Sequence, residues 1–425
     1  MIRIFAVLLK NMPMSPRALA IMALCLVTGS TLRAQLVNQQ TRAQQIQLNT
    51  ITTAVPFLMI APDSRSGALG DAGVALSPDA NLTHWNPAKL AFVEEDLELS
   101  LSYSPWLRQL VNDMSLAYLS GYKKLSKTQG VGGSLRFFTL GSITFTDEGG
   151  QVIRDFRPNE FSLDMSFGQK FSEKFSGGIA ARFVNSNLTG GTNVQGADSR
   201  PGRSVAVDVA MFYTNPKIKI GDKKTTLNWG LNISNIGAKM RYTNTDQRDF
   251  IPTNLKTGVA LTLDLDEYNQ LTFTTDFNKL LVPTPPVYAD GDRTEILSGM
   301  DPNVGVASGI MQSFYDAPGE LDPTTNEPIS GSVFREEMRE INISGGFEYL
   351  YDKQFAVRTG YFYEHLTKGN RQFITLGAGL RYQVVTIDMS YLISTTQQNP
   401  LANTLRFTLR LAMGKTKRPA EEVAE

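Results

Sequence analysis

Stretches in which apolar and polar side chains alternate recur along this chain, and the last of them shows the pattern best. Leu405, Phe407, Leu409 and Leu411 fall on one side, and Arg406, Thr408 and Arg410 on the other. Side chains on a strand point to opposite faces with period two, so one face suits lipid and the other suits water. Inside a bilayer every backbone group must be satisfied within the protein, and a sheet achieves this only by closing on itself. The pattern therefore predicts an all-β fold, an antiparallel transmembrane β-barrel.

Fourteen strands are expected. They begin near Leu97, Met114, Gly132, Phe161, Phe175, Ser204, Thr226, Lys256, Gln270, Ile341, Phe355, Phe373, Val384 and Thr404. Each is close to the roughly 9–11 residues that a tilted membrane strand requires, and an even total is what single-chain bacterial barrels show. Connections after strands two, four, eight, ten and twelve are brief. Those after three, five, seven and nine are long, and residues 278–340 form the longest. Short periplasmic turns and long outer loops give this rhythm, with both termini in the periplasm. A soluble sandwich has no reason to sort loop lengths by parity. The same alternation turns Arg136, Asp164, Arg182, Asp208, Asp264, Asp276, Glu348, Arg358, Arg381, Asp388, Arg406 and Arg410 toward the lumen, where pairing of mixed charges would brace a hydrated interior. Tyr103, Tyr122, Phe161, Tyr349, Tyr361 and Tyr382 fit aromatic girdles at the membrane interfaces.

The amino terminus reads as a secretory leader. Arg3, Lys10 and Arg17 precede an apolar run, Ala18 to Val27, and Ala34 offers a cleavage position. The run is shorter than the roughly 20 residues of a membrane helix. Met12 and Met14 are alternative starts. Cys25 is the only cysteine and follows Leu24, not the small residue of a lipidation signal, so the mature chain would carry no thiol. The expected organisation is a signal peptide at 1–34, a periplasmic segment at 35–61, a hatch at 62–96, the barrel at 97–414 and a polar periplasmic tail at 415–425. In that tail Lys415, Lys417 and Arg418 either meet headgroups or simply keep it soluble. Lys plus Arg equals Asp plus Glu at 41 each, so no global field points to nucleic acid.

Residues 62–92, PDSRSGALGDAGVALSPDANLTHWNPAKLAF, break the alternation. Turn formers and small residues dominate, Ser64 and Ser77 are candidate helix caps, and Asn86-Pro87 marks a turn. Such a segment makes no membrane strand, and folding inward as a hatch that fills the lumen explains it. GALGDAG has the look of a phosphate-binding loop, but no βαβ unit follows.

This segment ahead of fourteen strands resembles the long-chain fatty-acid channel superfamily, and within it the PorV and PorQ family of the type IX secretion system. Arg65, Gly67, Gly70, Gly73, Ala75, Asp79, Trp85, Asn86, Pro87 and Ala88 carry the resemblance. The motif does not separate PorV from PorQ; the length and the 278–340 loop favour PorV. The resemblance implies a plugged barrel that docks beside the translocon barrel, collects substrates by their C-terminal signal domains and carries them to the attachment complex containing the sortase PorU. The rival expectation is an outer-membrane transporter of hydrophobic small molecules such as long-chain fatty acids, against which the charged lumen counts. A purely structural barrel is the third, against which the large outer loops count.

No catalytic, cofactor or metal site is expected. His84 and His365 lie in different regions without paired carboxylates, and His84 beside Trp85 reads as a hydrogen-bonding packer. Arg335, Glu336, Glu337 and Arg339 read as a solvated, helical patch. Binding residues concentrate on loops held by a rigid scaffold. Trp106 and Leu107 in the first loop, and Pro283, Pro285, Pro286 and Tyr288 in the stiff stretch of the longest, are the candidate partner contacts.

Overall fold

In a computed structural model the chain is described over residues 48–107, 111, 113–146, 149–191, 193–194, 197–243, 248–289, 294–322, 324–325, 327–396 and 401–414. The expected leader, the start of the 35–61 segment and the 415–425 tail lie outside them. Fourteen antiparallel strands, each paired with its neighbours in sequence, close into a barrel. They are β1 (Leu97–Pro105), β2 (Met114–Lys124), β3 (Gln129–Leu140), β4 (Asn159–Lys170), β5 (Phe175–Asn187), β6 (Gly202–Ile220) and β7 (Lys223–Gly237). The circuit continues with β8 (Asn254–Asp264), β9 (Asn269–Leu280), β10 (Asn342–Tyr351), β11 (Phe355–Tyr363), β12 (Gln372–Tyr382), β13 (Val385–Ser394) and β14 (Leu405–Met413). β14 pairs back onto β1 from Leu97↔Met413 to Tyr103↔Phe407, which leaves the barrel sheet without an edge.

The alternation places Leu163, Met165, Ile179, Val207, Leu376 and Leu409 on the exposed wall. Many inward positions are polar, small or charged, and Arg136, Asp164, Arg182, Asp208, Asp276, Glu348, Arg358, Asp388 and Arg406 are all buried. Asp264 and Arg381 keep the inward parity but sit at the short-turn end, where Arg381 pairs with Glu95 at 3.1 Å. Tyr122 departs from the expected girdle. It shares the inward parity of Leu116, Tyr118 and Ser120 and is buried, because β2 enters the wall in that register. β6 and β7 run past the membrane band: beyond a shift in register at Asn215/Ile218 they continue as a free hairpin around Gly221. Pro216 interrupts the alternation there and hides the extension in the sequence.

Residues 54–93 run inside the barrel. Two single-turn helices, α1 (Ser64–Gly67) and α2 (Leu82–Trp85), and a 3-10 turn (Pro87–Phe92) shape this segment. Asp63 caps α1 by accepting from the Ser66 N–H, so the cap lies one residue before the expected Ser64. Ser77 caps no helix; its Oγ accepts from Arg65.

Leu409 stands at the middle of the outward row of β14 and opposite Leu101 of β1. Leu409→Arg should cost about 2–4 kcal/mol, the penalty for a cation near the bilayer midplane. Urea unfolding from vesicles measures it, and an unchanged midpoint would contradict the lipid-facing assignment.

Candidate functional site

The inner segment is tied to the wall by charge. Arg65 donates from Nε and Nη2 to Glu348 on β10 at 3.0 and 2.8 Å and from Nη1 to Asp79 at 3.2 Å. Glu348 also accepts from Arg358 at 2.6 Å, Arg358 donates to Asp388 at 2.7 Å, and Arg410 bridges Asp388 at 3.0 Å and Glu98 at 3.3 Å. One chain of ion pairs thus joins the segment to β10, β11, β13, β14 and β1. On the facing wall Arg182 links Asp164 at 2.5 Å to Asp208 at 3.1 Å and also meets Asn235.

Backbone groups of the segment are satisfied from the wall as well. Asp276 accepts from the N–H groups of Gly73 and Val74 at 2.7 and 2.9 Å, and Arg136 donates to the carbonyls of Phe57 and Leu58. Asn86 donates to the carbonyls of Val74 and Met211, while Trp85 Nε1 donates to Asp63 at 2.6 Å. Such close seating requires missing side chains on both partners. A Cβ on Gly70, whose φ is +70°, would strike the Tyr361 backbone. On the wall, a Cβ at Gly178, Gly230 or Gly360 would strike the backbone of Ala88, Val74 or Gly70. Those inward strand glycines went unread in the sequence, although glycine inside a strand signals a close backbone approach.

At the long-loop end an apolar cluster spans the segment and the wall: Phe57, Leu58, Trp106, Leu116, Phe138, Val184, Met240 and Ile251. Trp106 is therefore buried and presents no free face, contrary to its expected role as a partner contact; Leu107 is partly buried against the same cluster. The longest loop, 281–341, is itself folded. It contains a short hairpin (287–288 with 296–298) and two helices, α3 (Val306–Gln312) and α4 (Ser332–Arg339). Pro283 and Pro286 are buried and Pro285 and Tyr288 partly buried, so the proline stretch acts as a strut under the loop.

α4 is inverted relative to a solvated helix. Glu336 and Glu337 are buried, at 8% and 5% exposure, where the sequence reading set them in water. Lys368 pairs with Glu336 at 2.6 Å and Glu340 at 2.9 Å, and Lys279 pairs with Glu337 at 2.9 Å and Glu340 at 2.6 Å. Lys279 has the outward parity of β9, and the loop covers it by bringing carboxylates to it. Asn49, Thr284, Ala317 and Gly319 donate to the same carboxylates. With its acids turned in, α4 turns Phe334 and Met338 out, at 70% and 47% exposure and one turn apart. Met311, Phe314 and Tyr315, at the end of α3 and just after it, are exposed too. Phe334 and Met338 thus stand exposed over buried ion pairs, the reverse of an amphipathic helix that packs its apolar side inward. The missed signal was Lys279, an outward lysine that needed acids from the adjoining loop.

His84 Nδ1 lies 2.7 Å from Arg136 Nη2, and its ring meets Trp85 edge-on. His365 accepts from the Thr367 N–H in the loop between β11 and β12. The two histidines sit in different parts of the molecule and share no site.

The family model described as type IX secretion system protein PorV matches residues 42–287, from before the inner segment to the proline strut. The chain belongs to the PorV family. It is an outer-membrane β-barrel and a component of the type IX secretion system. No curated protein matches the chain. Among solved structures it is similar to the P. putida toluene transporter TodX (11% identity, TM-score 0.44, covering 82% of this chain and 98% of that one). It is also similar to a Pseudomonas aeruginosa FadL homologue (12%, 0.41, 86% and 99%) and to the Ralstonia pickettii toluene transporter TbuX (10%, 0.42, 82% and 96%).

Two outcomes follow for this PorV-family barrel. Arg65→Ala strands Glu348 and Asp79 with one cationic partner fewer and should loosen the segment by about 3–5 kcal/mol. Hydrogen exchange at Gly73 and Val74 would rise by orders of magnitude, and unchanged protection would remove Arg65 from the anchor. Burial pushes Asp316 up to about 6, with Glu337 adding to the shift. Its contribution to loop stability is complete below the ordinary carboxyl range and is lost as pH rises through about 6. Protection factors in the described residues of 281–341, corrected for the intrinsic pH dependence of amide exchange, should therefore be higher at pH 5 than at pH 7.5, with Asp316→Asn flattening the difference.

Proposed function

We propose that this protein is a plugged shuttle of the type IX system. The long loops face the cell exterior and the short turns the periplasm. The inner segment acts as a hatch, and the loop carrying α3 and α4 binds the C-terminal signal domains of substrates released at the translocon barrel. The protein then delivers them to the attachment complex containing the PorU sortase, and it performs no chemistry itself. The observation that carries this reading is the inverted helix α4. Its acids are engaged by Lys279 and Lys368, which fixes the loop, and its apolar side is left for a partner. On a base held by ion pairs, outward Phe and Met anchors bind with little loss of loop entropy, and the flexible Met side chains adapt to the surface they meet.

Transport of a hydrophobic small molecule would need an apolar path through the lumen. The inner segment and the ion pairs occupy that route. A cavity between the segment and the β7–β8 wall, lined by Leu58, His84, Asn232, Asn254 and Lys256, measures about 20 Å³, room for a water but not for an acyl chain.

Replacing Met311, Phe314, Phe334 and Met338 by Ser should leave heat-modifiable, membrane-inserted barrel but reduce recovery of cargo in pull-downs at least tenfold. Two anchors of about 1 kcal/mol each suffice for that. Undiminished recovery would take this face out of the mechanism. Deleting residues 62–90 should open ionic conductance in planar bilayers that the intact protein lacks. Steady large currents from the intact protein would contradict a plugged barrel.

A further inference from the structure

Charge at the short-turn end is sorted by sector. The β2–β3, β4–β5 and β6–β7 turns are neighbours around the barrel. They carry nine lysines (Lys123, Lys124, Lys127, Lys170, Lys174, Lys217, Lys219, Lys223 and Lys224) against two acids, Glu173 and Asp222, and none of the nine forms an ion pair among the described residues. The next turn, between β8 and β9, carries Asp264, Asp266 and Glu267, and the approach to β1 carries Glu94, Glu95 and Asp96. Charge placed only for solubility would not gather its cations on three adjoining turns between two acidic flanks.

The same three turns hold exposed apolar residues: Leu125, Phe171 and Ile220. Phe171 folds back over the outer wall, where a Cβ on the outward Gly177 would press on its ring, and it lies 6.1 Å from the Phe175 ring. The outward row turns polar close to this level, at Lys123, at Gln129 and Gln169 (hydrogen-bonded at 2.8 Å), and at Asn215. Just inside that line Tyr213 and Trp229 stand opposite each other. The lysines thus begin where the hydrocarbon ends, within a residue or two of aromatic rings that lie on the lipid side. The headgroup layer is about 5–7 Å deep, and Lys217 lies two residues, about 7 Å, beyond Asn215.

We infer that this basic sector binds anionic phospholipid headgroups of the adjoining leaflet, so that the barrel carries a patch of negatively charged lipid on one side. The apolar residues sink into the interface while the lysine stems extend along it and place their ammonium groups among the phosphates. The inference does not rest on cargo carriage and holds whichever leaflet meets this end.

Trp229 is placed to report it. It faces outward beside the sector, whereas Trp85 and Trp106 are buried inside. Full-length protein would be reconstituted in phosphatidylcholine nanodiscs with a minor fraction of either brominated phosphatidylglycerol or brominated phosphatidylcholine. At low salt the anionic lipid should quench Trp229 at least about twofold more than the zwitterionic one, given attraction of roughly 1 kcal/mol for each lysine near the surface. The excess should disappear at high salt. It should also disappear in Lys123→Gln/Lys127→Gln/Lys174→Gln/Lys217→Gln protein that retains heat-modifiability. Salt titration of the wild type decides the question by itself if that variant fails to insert. Equal quenching by the two lipids at low salt overturns the inference and leaves the lysines to an acidic protein partner. A preference that survives both salt and substitution overturns it as well.

Discussion

The chain of buried ion pairs from Asp79 through Arg65, Glu348, Arg358, Asp388 and Arg410 to Glu98 is the contact on which the rest of this molecule depends. A closed barrel satisfies its backbone by itself, but it leaves charges inside that water alone would hydrate. The inner segment replaces that water and must therefore supply matching charge at fixed positions. Buried pairs add little net stability over apolar packing, yet removing one partner is costly. Their effect is to fix one seating of the segment, and the strand glycines that admit its backbone fix the same one.

Loop and lumen follow one rule. Lysines at strand and loop ends, Lys279 and Lys368, gather the acids of α4, as the lumen arginines gather Glu348 and Asp388. In both places polar pairing takes the interior, and in the loop the apolar side chains are left at the surface. The usual order of a helix packed on a core is reversed, which makes the loop a rigid presenter of Phe334 and Met338. Trp106, by contrast, belongs to the apolar cluster below the loops and has no outward part to offer.

Much of the barrel was legible because its signal is local. Period-two alternation marks each strand, and strand starts read from it lie within a few residues of those observed, Phe355 for β11 being the same in both. What failed were features set by a partner distant in sequence. Tyr122 has a girdle residue's composition, but its parity turns it inward. Glu336 and Glu337 looked solvated because Lys368 and Lys279, which neutralise them, lie 32 and 58 residues away. Gly178, Gly230 and Gly360 read as unremarkable strand residues until the segment they admit is known. The β6–β7 extension was hidden by one proline. Of the candidate contacts in the longest loop, the prolines proved to be buried or half-buried, while Phe334 and Met338, which the sequence did not single out, are exposed.

The central claim is that secreted cargo touches the outward face of α4. Site-specific photocrosslinking in living cells tests it directly, with a photoreactive phenylalanine analogue at position 334 and controls on the lipid-facing wall at Phe347 and at Phe171 beside the short turns. Position 334 is expected to capture the C-terminal signal domain of cargo while the two control positions do not. Capture from Phe347 or Phe171 with none from Phe334 would contradict the claim.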